Sequence, residues 1–137
     1  MHGNYHHEYM ICKLEEAFHE KGIKTEMQVH VKSGDFVGFI DLVAEDESGT
    51  LLCIEVERET KRISNDYVKK ELIGGESILW VIVPTSTVQK SARRFVQSME
   101  LSENDSFKVL TYGQALSGVK NLIPFSFRSL REEKENK

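Results

Sequence analysis

Asp41, Glu55 and Glu57 stand where strands normally carry only apolar side chains, and acids so placed call for a compensating charge. Asp41 lies among Phe39, Ile40, Leu42 and Val43, Glu55 interrupts the run from Leu51 to Val56, and Glu57 follows it. Because side chains alternate along a strand, Glu55 and Glu57 project from one face, roughly 6.5–7 Å apart at about 3.3 Å of rise per residue. The stretch from Phe36 to Arg58, FVGFIDLVAEDESGTLLCIEVER, reads as two strands joined by a polar turn from Glu45 to Thr50, with Gly49 free to take a positive φ. Such a hairpin brings Asp41 beside the two glutamates. Three carboxylates converging on one face repel each other and lose hydration, a cost of several kcal/mol. A divalent cation is the simplest compensation, and a lysine is the other.

The elements that must position these acids follow from periodicity. Ile11, Leu14 and Phe18 recur at helical spacing within Tyr5 to Lys21, and Gly22 is a natural stop. One turn back along that stripe are His7 and Glu8. Ile23 to Lys32 alternates as a strand with one wet face, and Ser33-Gly34-Asp35 turns the chain into the acidic hairpin. Ser64 is placed to cap a short helix with Val68 and Leu72 inward, ended by Gly74-Gly75. The run Ile78 to Val83, ILWVIV, is apolar on both faces, so it reads as a central strand with helices on either side, Trp80 in the core. A further helix is capped by Thr85 or Ser86 and buries Val88, Ala92, Phe95, Val96 and Met99; Phe107 to Tyr112 reads as a last strand. Leu122 to Phe127 packs back on the domain, and the charge run 131–137 reads as disordered. The order is α-β-β-β-α-β-α-β, an α/β fold with a central mixed sheet flanked by helices.

Composition narrows the classes. With 137 residues, 39% hydrophobic and 29% charged, the chain reads as one domain spanning 1–137. No apolar run reaches the ~18 residues of a membrane span, and the N-terminal residues lack a signal-peptide pattern, so the expected location is cytoplasmic. Cys12 and Cys53 have neither metal-finger spacing nor a disulfide count and read as reduced packing residues. A net charge of −4 argues against a protein that coats nucleic acid, yet Lys61, Arg62, Lys69, Lys70, Lys90, Arg93 and Arg94 cluster after the acidic strands. They form either a positive rim around an acidic pocket or ordinary solvated helix faces. His2, His6 and His7 could take up metal adventitiously, and His19 and His30 read as solvated.

A helix with an early Glu, then a hairpin carrying Asp followed by Glu-x-Lys, then α and β elements, resembles the PD-(D/E)xK nuclease superfamily, the restriction-endonuclease-like fold. The general plan is similar to archaeal Holliday-junction resolvases, in which a phrase like LLCIEV precedes the lysine. The likeness covers about Glu8 to Val83. It implies that Asp41 is the motif Asp and Glu55 the motif acid. Glu8 matches the acid of the first helix, with Glu15 as a substitute. Two positions depart from the pattern: Ile40 replaces the motif Pro, and Glu57 replaces the motif Lys. Divergent branches look similar to IEVERETK, with the lysine further on; Lys61, Lys69 and Lys70 are the candidates here, with Lys61 favoured because its polar run begins at the end of the acidic strand.

The resemblance implies an Mg²⁺ (or Mn²⁺) site held by Asp41, Glu55 and the Val56 carbonyl, with Glu8 acting through water or on a second ion. Mg²⁺ needs few protein ligands because it retains several waters. The expected catalytic set is Asp41, Glu55 and Glu57 with Lys61 or Lys69. The implied activity is metal-dependent DNA endonuclease cleavage, selective for branched or otherwise structured DNA and carried out by a homodimer, with no membrane association. Two other readings stay open: an inactive nuclease-fold module that binds nucleic acid or a protein partner, and an unrelated α/β protein whose acids merely face solvent.

Overall fold

A computed structural model describes residues 4–130. The charge run 131–137 and His2 lie outside the described residues. Five strands form one mixed sheet in the order β1-β2-β3-β4-β5. These are β1 (Lys24–Ser33), β2 (Phe36–Glu45), β3 (Leu51–Val56), β4 (Ser77–Val83) and β5 (Phe107–Thr111), with β1-β2-β3 antiparallel and β3-β4-β5 parallel. Every residue of β4 is buried, as a central strand covered on both faces requires.

Helices α1 (Asn4–Glu20) and α4 (Tyr112–Lys120) cover one face, packing Leu14, Phe18, Ala115 and Val119 on Leu42, Ile54 and Trp80. Helices α2 (Ile63–Ile73) and α3 (Ser86–Ser98) cover the other, with Ile63, Ala92 and Val96 on Cys53, Leu79 and Val81. Thr85 caps α3, accepting from Val88 N–H. Three local expectations change. Helix α4 follows β5 directly because Thr111 and Gln114 form a capping box, a T-x-x-Q signal present in the sequence. Ser64 does not cap α2, which instead grows out of a 3-10 turn over Thr60–Arg62 with Arg62 at the cap position. Val68 points outward, because α2 buries Ile63 and Asp66 instead.

The C-terminal segment closes the end of the sheet away from the acids. Leu122 and Phe127 are buried, and Phe127 meets Phe18 edge to face. Asp46 gathers the backbone N–H groups of Ser48, Thr50 and Phe127. Burial would raise its pKa, but these donors and the Ser48 hydroxyl hold it below the ordinary carboxylate value.

Two irregularities shape the other end. Pairing of β2 with β3 stops at Leu42↔Ile54, while β3 stays paired with β4 as far as Val56↔Ile82. A notch therefore opens between β2 and β3. In the β1–β2 ladder, Gln28 and Asp41 interrupt an otherwise continuous series of partners, and Gln28 has φ of 54°. On one side of this break Leu42 packs toward α1, and on the other Ile40 and Val29 pack toward α2. Residues two apart on a regular strand share a face; here the ribbon has made a half turn, and Asp41 sits at the turn.

A left-handed backbone is tolerated by Gln but disfavoured for a β-branched residue. Gln28→Val should therefore lose about 1–3 kcal/mol of stability in urea unfolding near neutral pH, while Gln28→Gly stays within about 1 kcal/mol of the parent. A Gln28→Val chain as stable as the parent would mean that the half turn is not imposed by the fold.

Candidate metal centre

The notch leaves the Val56 N–H without a β2 partner, and the Asp41 side chain takes that role: Val56 N donates to Asp41 Oδ2 at 2.9 Å. The same oxygen lies 3.0 Å from His7 Nε2 on α1. Across the notch, Asp41 N donates weakly to Glu55 Oε1 at 3.4 Å. Asp41 and Glu55 are thus neighbours, joined through backbone, with the Asp41 carboxylate turned toward α1 and the Glu55 side chain toward α2.

Glu55 and Glu57 do share the α2 face, where their third companion is Asp66 rather than Asp41. Each of Glu55, Glu57 and Asp66 offers one oxygen, and the three oxygens lie within 4.8 Å of one another. Asp66 is buried on α2, and Lys69 lies on the same helix face three residues on. Lys69 Nζ donates to the Phe39 carbonyl at 2.7 Å and lies 2.9 Å from Glu55 Oε2 and 3.6 Å from Asp66 Oδ1. Gly38 makes room for it: a Cβ there would stand 3.2 Å from Lys69 Cδ.

Charge within this volume is unbalanced. Asp41, Glu55, Glu57 and Asp66 face Lys69 and the His7 imidazole. Burial, reinforced by Asp66 and Asp41 and opposed by Lys69, pushes the Glu55 carboxyl up to about 8. Burial and the adjacent Glu57 raise Asp66, and burial together with Glu55 and Asp41 raises Glu57, opposed by its contact with Asp66. The acids in turn hold Lys69 charged, raising its pKa despite burial. The hydrogen bond to Asp41 likewise raises His7 above its ordinary 6.5. Glu55 Oε2 and Asp66 Oδ2 are buried without a well-formed hydrogen bond, although Lys69 Nζ stands 2.9 Å from the former. Carboxylate oxygens are hard donors, and those left unsatisfied here are suited to a cation. The group could hold a metal ion.

The remaining candidates fall on either side of this centre. Glu8 is exposed and lines a cleft of about 380 Å³ between α1 and the hairpin, together with His7, Met27, Gln28 and Asp41. It faces Asp41 from the α1 side and is not one of the three-acid group. Glu15 accepts from the Thr25 hydroxyl. Lys61 is exposed on the 3-10 turn, and Lys70 lies over the Tyr67 ring and near Glu71. Of the three lysines, Lys69 is the one inside the centre, because α2 folds back over the notch and the chain at Lys61 does not. Arg93 is tied to Glu103 at 2.6 Å and to the Val109 carbonyl, so this member of the basic series braces β5. Asp66 and His7 had weak signals: Asp66-x-x-Lys69 on one helix face, and His7 one turn before the apolar stripe of α1.

No family model matches the chain, and no curated protein matches it. Among solved structures it is similar to a crystal structure titled "Protein of Unknown Function AF1548". The TM-score is 0.52 at 17% identity, over 92% of this chain and 66% of that one. This likeness bears on the fold alone. Among the described residues no helix is long and apolar enough to cross a membrane.

An acid whose pKa is raised on folding binds its proton more tightly in the folded chain. Its contribution is complete below the unfolded value of ~4 and is lost as pH rises through the folded one, about 8 for Glu55. His7 acts in the same direction above 6.5. With chelator present, the melting temperature should fall between about pH 6 and pH 9, and Glu55→Gln should flatten that decline. Mg²⁺ should flatten it too, by replacing protons. Superimposable curves with chelator and with Mg²⁺ would show that no cation binds there.

Proposed function

We propose that the chain is a divalent-metal-dependent nuclease of PD-(D/E)xK type, with a restriction-endonuclease-like fold, that hydrolyses phosphodiester bonds in DNA. The observation that carries this reading is the position of Lys69. The motif lysine is replaced by Glu57 two residues after Glu55, and an ammonium group from α2 reaches the same acid at 2.9 Å. A lysine supplied to that acid from another element supports a working site more than a decayed one.

Glu55, Glu57 and Asp66, whose oxygens converge, are the groups that would hold Mg²⁺ or Mn²⁺, with Asp41 next to Glu55 across the notch. When bound, the cation supplies Lewis acidity at the scissile phosphate. The chain's own contributions are separate from it. Lys69 stays charged among the acids and donates to a non-bridging phosphate oxygen, offsetting charge as the transition state forms. Val56 N–H and His7 fix the Asp41 carboxylate from two directions. Glu57 and Asp66, raised above the ordinary range, keep a proton close to the site. Homodimerisation belongs to the proposal, since cutting two strands takes two such sites.

Cleavage of labelled branched, single-stranded and duplex DNA with Mg²⁺ or Mn²⁺ tests this. Asp41→Asn should abolish cutting, Lys69→Ala should slow it by ~10²–10³-fold, and Lys61→Ala should leave it unchanged. Absence of cutting in the parent on every substrate would sink the catalytic reading. The alternative, favoured by Glu57 at the lysine position, is then a non-catalytic module of the same fold.

A further inference from the structure

Beyond Asp41, the β1–β2 arm carries a surface that the proposed cleavage chemistry leaves unused. There the arm is a two-stranded ribbon, because β2 has left β3. After the half turn at Gln28, Val29 and Ile40 pack toward α2, and the opposite face presents the cross-strand pairs His30↔Phe39 and Lys32↔Val37. Phe39 is 49% exposed and Val37 55%, and His30 and Lys32 are exposed with them. The His30 and Phe39 rings stack with centroids 4.9 Å apart and planes 27° from parallel. Large exposed apolar groups on a ribbon near a sheet edge invite association, so this surface is suited to an occupant.

We infer that the His30–Phe39 plate is a subsite for an unpaired base of a single-stranded nucleic acid, with Lys32 on its backbone. Three features select this occupant. An open aromatic face stacks on any base, and a neighbouring cation meets the phosphates. Between residues 29 and 40 the one acid is Asp35, at the turn, so the ribbon does not repel a polyanion although the chain as a whole carries −4. Phe39 also stands two residues from Asp41, about 6.5–7 Å along a strand, the reach of one extended nucleotide. Bases inside a duplex are already stacked on one another and cannot lie on a ring that approaches from the side. The subsite deepens the nuclease reading by naming an unpaired nucleotide next to the cleavage position, and it rests on that reading.

The test uses the full chain in chelator, where no cation occupies the metal centre, and follows the fluorescence anisotropy of a labelled oligothymidine. Phe39→Ala should weaken binding about tenfold, and Phe39→Trp should restore it. A strand of the same length with abasic sites should bind the parent about tenfold more weakly and be indifferent to Phe39→Ala. Lys32→Ala should weaken both strands equally. Unchanged affinity in Phe39→Ala, or equal affinity for abasic and base-bearing strands, overturns the subsite. So does sedimentation showing that Phe39→Ala dissociates a dimer while strand affinity stays the same, which assigns the plate to a second copy of the chain. Binding without Mg²⁺-dependent cleavage overturns the catalytic reading and leaves the subsite standing; cleavage with no dependence of binding on Phe39 does the reverse.

Discussion

Buried negative charge around a single lysine is the constraint on which this end of the molecule depends. Glu55 and Asp66 are buried with Glu57 half-buried against them and Asp41 half-buried next to Glu55, and the nearest cations are Lys69 and the His7 imidazole. In such a medium an unpaired charge is costly enough to drive either protonation or recruitment of a counter-ion. The raised pKa of Glu55 and the carboxylate oxygens left without hydrogen bonds are two expressions of that one imbalance. A cation entering the group would relieve both at once.

Holding like charges together requires a frame that cannot relax. Strand β3 supplies it, paired antiparallel to β2 on one side and parallel to fully buried β4 on the other. Its apolar residues are locked into cores on both faces, so Glu55 cannot turn to solvent without unpacking Cys53 and Ile54. The notch performs the complementary task. Where β2 leaves β3, backbone groups that a longer ladder would satisfy become available, and side chains take them: Asp41 accepts from Val56 N–H, and Lys69 donates to the Phe39 carbonyl. Missing ladder bonds are thus converted into site-forming ones, in keeping with the requirement that buried backbone groups find partners.

The half turn at Gln28 connects the centre to the exposed arm. It lets one short ribbon pack Val29 and Ile40 against the α2 side and still present Phe39 and His30 to solvent. It also aims Asp41 between the two sheet faces, within reach of both α1 and β3. Gly38 adds a smaller provision, since the absence of a Cβ lets the Lys69 stem cross the ribbon. Each device is local, and together they place an acidic pocket beside an aromatic and basic surface.

Much of this was legible in the chain itself. The alternation in β1, the doubly apolar run of β4 and the stripe of α1 are set by which side chains tolerate water, and that preference travels with the sequence. Asp41, Glu55 and Glu57 stood out for the same reason, as acids in apolar surroundings. The Thr111–Gln114 capping box that begins α4 was equally local and equally present. What a linear reading could not supply was the partner of each charge. Lys61 is near Glu57 in sequence, but Lys69 is near Glu55 in space, and that outcome depends on the path of α2 over the notch. Asp66 resembles any helix-surface acid until the helix packs its face inward. The turning of Asp41 toward His7 goes with a left-handed residue that no sequence pattern marks, because the half turn at Gln28 joins segments of one ribbon that pack into two different cores. Local propensities determined the elements, and the long-range balance of burial and charge decided which residues meet.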